Sequence, residues 1–166
     1  YEGGTIVFLP GAGEINDIHR KLKAHSDIHP CRLHAGLPSE DDHEAFGPSP
    51  GSRRKVVLAT NIAETSFTFK DVDLVIDTGY FKERCIRDGV TSLVPKRISK
   101  VSFTQREGRV GRLRNGKMIC LYAKEVQEEF ETHATDFTDF SWSYLYLRSV
   151  DGSCQDLPFV PPEEVS

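Results

Sequence analysis

The octad QREGRVGR, Gln105 to Arg112, combines three arginines, two glycines and a glutamine. On a helix of about 3.6 residues per turn, Gln105, Arg109 and Arg112 stand at i, i+4 and i+7 and form one narrow stripe. Arg106 falls a quarter-turn away, a structural position, and Glu107 lies nearly opposite. Guanidinium forks bind phosphate oxygens in pairs and stay charged. The stripe therefore suits a polyphosphate, with the Gln105 amide placed to orient a water. A solvated basic face is the blander alternative. It leaves Gly108 and Gly111 unexplained, because an interior glycine costs a helix about 1 kcal/mol relative to alanine. Glycines are expected there if another backbone or a ligand comes close.

Net charge alone does not name a partner. The 166 residues carry a formal charge of −4, but the charge is unevenly distributed. Lys82 to Lys117 holds eleven Lys/Arg and three Asp/Glu, whereas Ala123 to Ser166 holds two basic and ten acidic residues. This fits either two solvated surfaces or a phosphate-facing region followed by an acidic tail. The cysteines (Cys31, Cys85, Cys120, Cys154) are far apart, with no CxxC pair. That argues against a zinc site and for reduced thiols in a nuclear or cytoplasmic setting. No apolar run is long enough to cross a bilayer and no signal peptide is visible, so no membrane partner is expected. The chain begins at Tyr1, as an excised segment would.

Several elements must position the octad. TIVFLP (Thr5 to Pro10) reads as a short buried strand ending in a Pro-Gly turn. Ile15, Ile18 and Leu22 follow at helical spacing. PCRLHA (Pro30 to Ala35), KVVLAT (Lys55 to Thr60), VDLVID (Val72 to Asp77) and KMICLY (Lys117 to Tyr122) are further strand runs, the last three buried. Ser39 opens a helix, and Asp88-Gly89 centres a hairpin over Tyr80 to Arg97. Ser99 opens a helix through Arg112, and Lys124 to Thr132 forms another. Apolar strands alternating with helices predict a parallel sheet covered on both faces. Ligands of such sheets sit beyond the C-terminal ends of the strands. DFTDFSWSYLYL (Asp136 to Leu147) and DLPFVPPEE (Asp156 to Glu164) differ in character. The expected division is a domain over 1–132 and an extension or linker over 133–166.

These segments resemble a family. QREGRVGR is similar to the sixth motif, QRxGRxGR, of the DEAH-type helicases of superfamily two. ATNIAETSFT (Ala59 to Thr68) resembles their fifth motif, TIVFLPGAGEI (Thr5 to Ile15) their fourth, and RLHAGLP (Arg32 to Pro38) the segment that follows it. VDLVIDTG (Val72 to Gly79) resembles the strand after the fifth motif, and DLPFVPP the entry to a winged-helix domain. The motifs stand in the family's order from Thr5 to Tyr122.

The resemblance implies an α/β fold: a RecA-like three-layer sandwich with a mostly parallel central sheet, a β-hairpin and an irregular C-terminal extension. It implies the second RecA-like domain of an ATP-dependent RNA helicase. Arg109 and Arg112 would be arginine fingers and Gln105 would hold the attacking water, as the catalytic set. Phe46, Ser66, Thr68 and Lys70 would face the nucleotide. Gly11, His34, Ala35, Gly36, Thr60 and Asn61 would grip RNA, and the hairpin would sit where a duplex is parted. Lys70 departs from the family, which commonly has a carboxylate there to accept ribose hydroxyl protons. Asp71 is the neighbouring carboxylate. ATP and Mg2+ are the implied cofactors, the metal held by a first RecA-like domain of the same polypeptide that carries the P-loop and DEAH tetrad. GRLRNGKM (Gly111 to Met118) is no P-loop, because Met118 lacks the hydroxyl and the order is helix, loop, strand. By itself the chain is expected to be inactive. Implied partners are RNA, that first domain, and a winged-helix domain or protein activator. The alternative is a catalytically inactive helicase-derived RNA-binding or scaffold domain. A dinucleotide enzyme built on GAGE (Gly11 to Glu14) has little support, since it explains none of the arginines.

Overall fold

The computed structural model describes residues 3–37, 44–48, 51–65, 69, 71–87, 90–111 and 115–132. In chain order the strands are β1 (Gly4–Phe8), β2 (Ile28–Leu33), β3 (Arg54–Ala59), β4 (Val72–Asp77), β5 (Tyr80–Arg87), β6 (Val90–Arg97) and β7 (Lys117–Cys120). The helices are α1 (Ala12–Leu22), α2 (Lys100–Glu107) and α3 (Lys124–Glu128), with a 3₁₀ turn over Asn61–Glu64. Two compact units result: Tyr1–Arg84 with Leu93–Ala134, and Cys85–Ser92 with Thr135–Ser166. In the second unit, among the described residues, the Ser92 hydroxyl donates to the Cys85 carbonyl at 3.5 Å.

The first unit is built on a five-stranded sheet of order β2-β3-β1-β4-β7, with every pairing parallel. β1 is central: Val7 is in register with Leu58 on one side and Ile76 on the other. Alternation along the strands sorts side chains to two faces. Val56 and Leu58 pack with Leu9 and Ile15, where α1 lies. Val57 and Ala59 join Ile6, Phe8, Cys31, Leu33 and Val75 on the other face, where Ala45, Ala63, Phe69 and Val110 close over them. Both faces are thus covered, which is why these strands read as unbroken apolar runs. β5 and β6 pair as a separate two-stranded sheet, the expected hairpin.

Three expectations need correction. KMICLY is not a buried strand. β7 lies at the sheet's edge, paired to β4 alone, and alternates exposed with half-buried residues. α3 ends at Glu128, short of Thr132. Most consequentially, the helix opened by Ser99 does not reach Arg112. Ser99 does cap it, its hydroxyl accepting the Ser102 N–H at 3.1 Å. The last helical residue is Glu107, and Gly108 is the C-cap. Arg109 N–H and Val110 N–H then bond three residues back, to the Arg106 and Glu107 carbonyls, as a terminal turn tightens. Gly111 follows at φ 80°, in the left-handed region. The two glycines therefore end the helix rather than interrupt it. A Cβ on Gly111 would meet nothing within 4 Å, so its backbone angle, not crowding, calls for glycine. Close approach occurs instead at Gly116, where a Cβ would fall 2.5 Å from Val110 Cβ. The Ser39 helix start, the Asp88-Gly89 turn and the 133–166 extension lie outside the described residues.

Candidate nucleic-acid and nucleotide site

Because the strands run parallel, the loops after them leave from one edge. β1 delivers Gly11, β2 delivers His34, Ala35 and Gly36, and β3 delivers Thr60 and Asn61. β2 ends at Leu33, before His34, so those three residues form a loop rather than a strand end. Gly36 has φ 87° and open space around it, a turn that favours glycine. His34 Nδ1 lies 2.9 Å from the Ala35 carbonyl, and its Nε2 is buried without a partner among the described residues. Thr60 precedes the 3₁₀ turn as its N-cap and accepts the Ala63 N–H at its carbonyl. Gly11 has a packing reason of its own. A Cβ there would sit 2.8 Å from Lys82 Cδ, and Lys82 donates to both carboxylate oxygens of Glu14 at 2.8 and 2.9 Å. That hydrogen bond holds the Glu14 carboxyl below its ordinary value.

A charged cluster underlies these loops. Arg106 is fully buried. Its Nε donates to Glu64 Oε1 at 2.8 Å, its Nη1 to Asp77 Oδ1 at 2.6 Å and its Nη2 to the Tyr80 carbonyl at 3.3 Å. The guanidinium also lies 4.7 Å over the Phe8 ring. Asp77 accepts further bonds from Gly79 N–H at 2.9 Å and the Tyr122 hydroxyl at 2.6 Å. Burial pushes the Tyr122 phenol well up, and Asp77 adds to the shift. Arg106 is thus the structural residue its helical position implied. Glu64, Asp77 and Tyr122 were not anticipated. One signal was available: an apolar strand run ending in aspartate, VDLVID, implies a buried carboxylate that needs a partner.

The catalytic candidates are arranged differently from a stripe. Gln105 is on α2, and Arg109 follows on the terminal turn, its Nε donating to the Gln105 carbonyl at 3.1 Å. Gln105 lines a cleft of about 330 Å³ together with Asn61, Glu64, Thr65, Phe81 and Ser102. A predicted catalytic residue and a predicted RNA contact thereby share one cavity. Arg112, Ser66, Thr68 and Lys70 lie outside the described residues. Phe46 is half-buried, its ring 5.3 Å from that of Phe69 at the margin of the core. Asp71 is bound to the buried Lys55 ammonium at 2.9 Å, beside the N-terminal ends of the strands.

Three residues of metal-ligating type do approach one another. His29 Nε2 is 3.1 Å from Glu44 Oε1, and Cys31 Sγ lies within 4.8 Å of both. Burial pushes the Cys31 thiol up to about 12, which disfavours the thiolate a metal would need. Its Sγ contacts the Glu44 carbonyl at 3.7 Å, a packed thiol beside the His29–Glu44 contact. Cys31, Cys85 and Cys120 are free thiols. Among the described residues no helix is long and apolar enough to cross a membrane.

A parallel sheet covered on both faces, with its loop clusters on one edge and an arginine-bearing helix end beside them, defines a RecA-like α/β domain of the helicase class. The family model of the helicase conserved C-terminal domain matches residues 1–114, and the chain belongs to that family, as a domain of the DEAH-box type. It is 44% identical over 161 residues to the ATP-dependent RNA helicase HrpB of Escherichia coli (strain K12), covering 93% of this chain and 20% of that protein. It is 44% identical over 137 residues to the ATP-dependent RNA helicase dhx29 of Xenopus laevis, 78% of this chain and 10% of that one. The crystal structure of the E. coli DExH-box NTPase HrpB superposes with a TM-score of 0.79 at 36% identity, over 92% of this chain and 20% of that chain. The chain therefore spans about a fifth or less of the length of these relatives.

Proposed function

We propose that this chain is the second RecA-like domain of an ATP-dependent RNA helicase, gripping the RNA backbone and completing an interdomain ATPase site. The observation that carries this reading is the convergence of Gly11, the His34 to Gly36 loop, Thr60, Asn61 and Gln105 at the C-terminal edge of one parallel sheet. Backbone amides and the Thr60 and Asn61 side chains suit RNA phosphates, contacts that position a strand without reading its bases. The donor set fits a polyphosphate: Gln105 lines a cleft, and Arg109 follows one turn later. ATP would lie between this domain and a P-loop domain that also holds Mg2+, with Phe46, Ser66, Thr68 and Lys70 toward the nucleoside. Arg109 and Arg112 stabilise charge on the phosphoryl group in transit, and Gln105 orients the attacking water. ATP supplies the free energy that closes and reopens the two domains on RNA. Arg109 stands on a glycine-ended turn rather than inside the helix, with its Nε donating to the Gln105 carbonyl.

Arg109→Ala in the full polypeptide tests the reading. RNA affinity should stay near wild type while RNA-stimulated hydrolysis falls ~10³-fold or more, the scale of arginine fingers elsewhere. Near-normal turnover would refute it. A second reading, an RNA-binding scaffold without catalysis, draws on Lys70, where a ribose-binding carboxylate is expected. It requires that the full polypeptide bind RNA yet show no hydrolysis for Arg109→Ala to remove.

A further inference from the structure

Arg106 lies outside the proposed phosphate contacts, yet it is the largest fully buried side chain among the described residues. As a stability device it is a poor choice. Desolvating a guanidinium and its carboxylates offsets much of their attraction, and apolar replacements of such clusters are often no less stable. What the planar fork supplies is fixed geometry. Its three nitrogens reach three separate segments: Glu64 at the end of the 3₁₀ turn, Asp77 at the end of β4, and the Tyr80 carbonyl where the hairpin begins. The same 3₁₀ turn starts at Asn61, and Arg106 is covalently next to Gln105. Asn61, Glu64 and Gln105 line one cleft.

We propose that Arg106 is a positioning residue through which RNA binding accelerates hydrolysis. An RNA phosphate drawn onto Thr60 and Asn61 shifts the 3₁₀ turn and with it Glu64. The fork carries that shift to α2, and so to Gln105 and the turn bearing Arg109. Asp77 is the fixed point, tied to β4 and anchored by Tyr122 and the Gly79 amide. A lysine cannot replace the fork, since one ammonium cannot hold the Nε and Nη1 directions together. The inference rests on the proposed roles of Asn61 and Gln105.

The test uses the full polypeptide with both ATPase halves and compares Arg106→Lys, Glu64→Gln, the double variant and Asn61→Ala. Thermal midpoint, single-stranded RNA affinity, and hydrolysis with and without saturating RNA are measured for each. Arg106→Lys and Glu64→Gln should lower hydrolysis at saturating RNA about tenfold more than RNA-free hydrolysis, within the usual range of site-to-site coupling. The double variant should fall no further than either single, because both weaken one connection. Unchanged stimulation, equal losses with and without RNA, or multiplicative losses in the double variant would overturn the proposal. If Arg106→Lys is unfolded at the assay temperature, Glu64→Gln decides alone, since it takes the charge out of the Nε contact and leaves the Arg106–Asp77 pair in place. Asn61→Ala separates the two readings. If it leaves affinity and stimulation unchanged, the RNA assignment falls and the coupling with it. If it weakens both while Glu64→Gln changes neither, only the coupling falls.

Discussion

Two buried cations stand at opposite ends of one parallel sheet. Near the N-terminal ends of the strands, Lys55 donates to the Gly47 carbonyl at 2.7 Å and to Asp71 at 2.9 Å. Near the C-terminal ends, Arg106 holds Glu64, Asp77 and the Tyr80 carbonyl. Both cations are fully buried, but their partners differ: the Asp71 side chain is 35% exposed and that of Asp77 is 0%. The lysine fastens Gly47 and Asp71, the chain neighbours of Phe46 and Lys70, which are proposed to face the nucleoside. The arginine joins four segments beneath the loops proposed to meet RNA. One chemical device thus serves as a staple at one end and as a junction at the other, and the difference follows from what each end of the strands delivers.

The largest expected effect would break this comparison if it failed. Asp77→Ala leaves a buried guanidinium that cannot discard its charge, at a cost of about 3–5 kcal/mol. Asp71→Ala removes a partly exposed carboxylate and leaves the Lys55 ammonium its Gly47 carbonyl partner, so the cost falls to about 1–3 kcal/mol. Urea unfolding of the two variants measures both. Equal losses, or a larger one at Asp71, would mean that the two ends are not mechanically distinct.

A smaller effect sharpens the C-terminal junction. Tyr122 and Cys31 are acids whose folded values are raised, chiefly by burial, that of Cys31 to about 12. Each favours the neutral form in the folded state. Their contribution is fully present below the ordinary thiol and phenol values of 9.0 and 10.0, and is lost as pH rises above them. Stability should therefore decline from pH 9 toward 12. Tyr122→Phe should cost ~1.5–3 kcal/mol at pH 7, the value of a hydrogen bond to a charged group. The same substitution should flatten the alkaline decline. Denaturant midpoints at neutral and alkaline pH check both, and an unchanged alkaline slope would separate Tyr122 from Asp77.

Much of this architecture was legible because it is local. VDLVID coincides with β4, and the apolar runs at β1 and β3 need no tertiary information once burial on both faces is allowed. The loops proposed to face RNA follow strand ends, although β2 stops at Leu33, two residues before the run PCRLHA does. The end of α2 was misread because helical spacing continues through Val110, while the stop depends on a left-handed Gly111 that periodicity does not encode. β7 was misread because an apolar run looks alike at the centre and the edge of a sheet. The Arg106 junction lay beyond local reading altogether. Its partners Glu64 and Asp77 are 42 and 29 residues away, and only the fold brings them together.

The smallest expected effect asks whether position or burial governs. Glu14 and Lys82 pair beside Gly11, at the same end of the sheet as Arg106, but their side chains are 42% and 24% exposed. The hydrogen bond from Lys82 lowers the Glu14 carboxyl, so its contribution is present above the ordinary value of 4.5 and is lost as pH falls through the folded value. Water screens such a pair, and Glu14→Gln should cost less than ~1 kcal/mol at pH 7. The difference should vanish in acid, where wild-type Glu14 is itself protonated, and shrink in high salt. If Glu14→Gln instead destabilised as strongly as Asp77→Ala, location at the C-terminal edge would outweigh desolvation. The contrast between Lys55 and Arg106 would then have to be explained by the loops they hold rather than by how deeply their partners are buried.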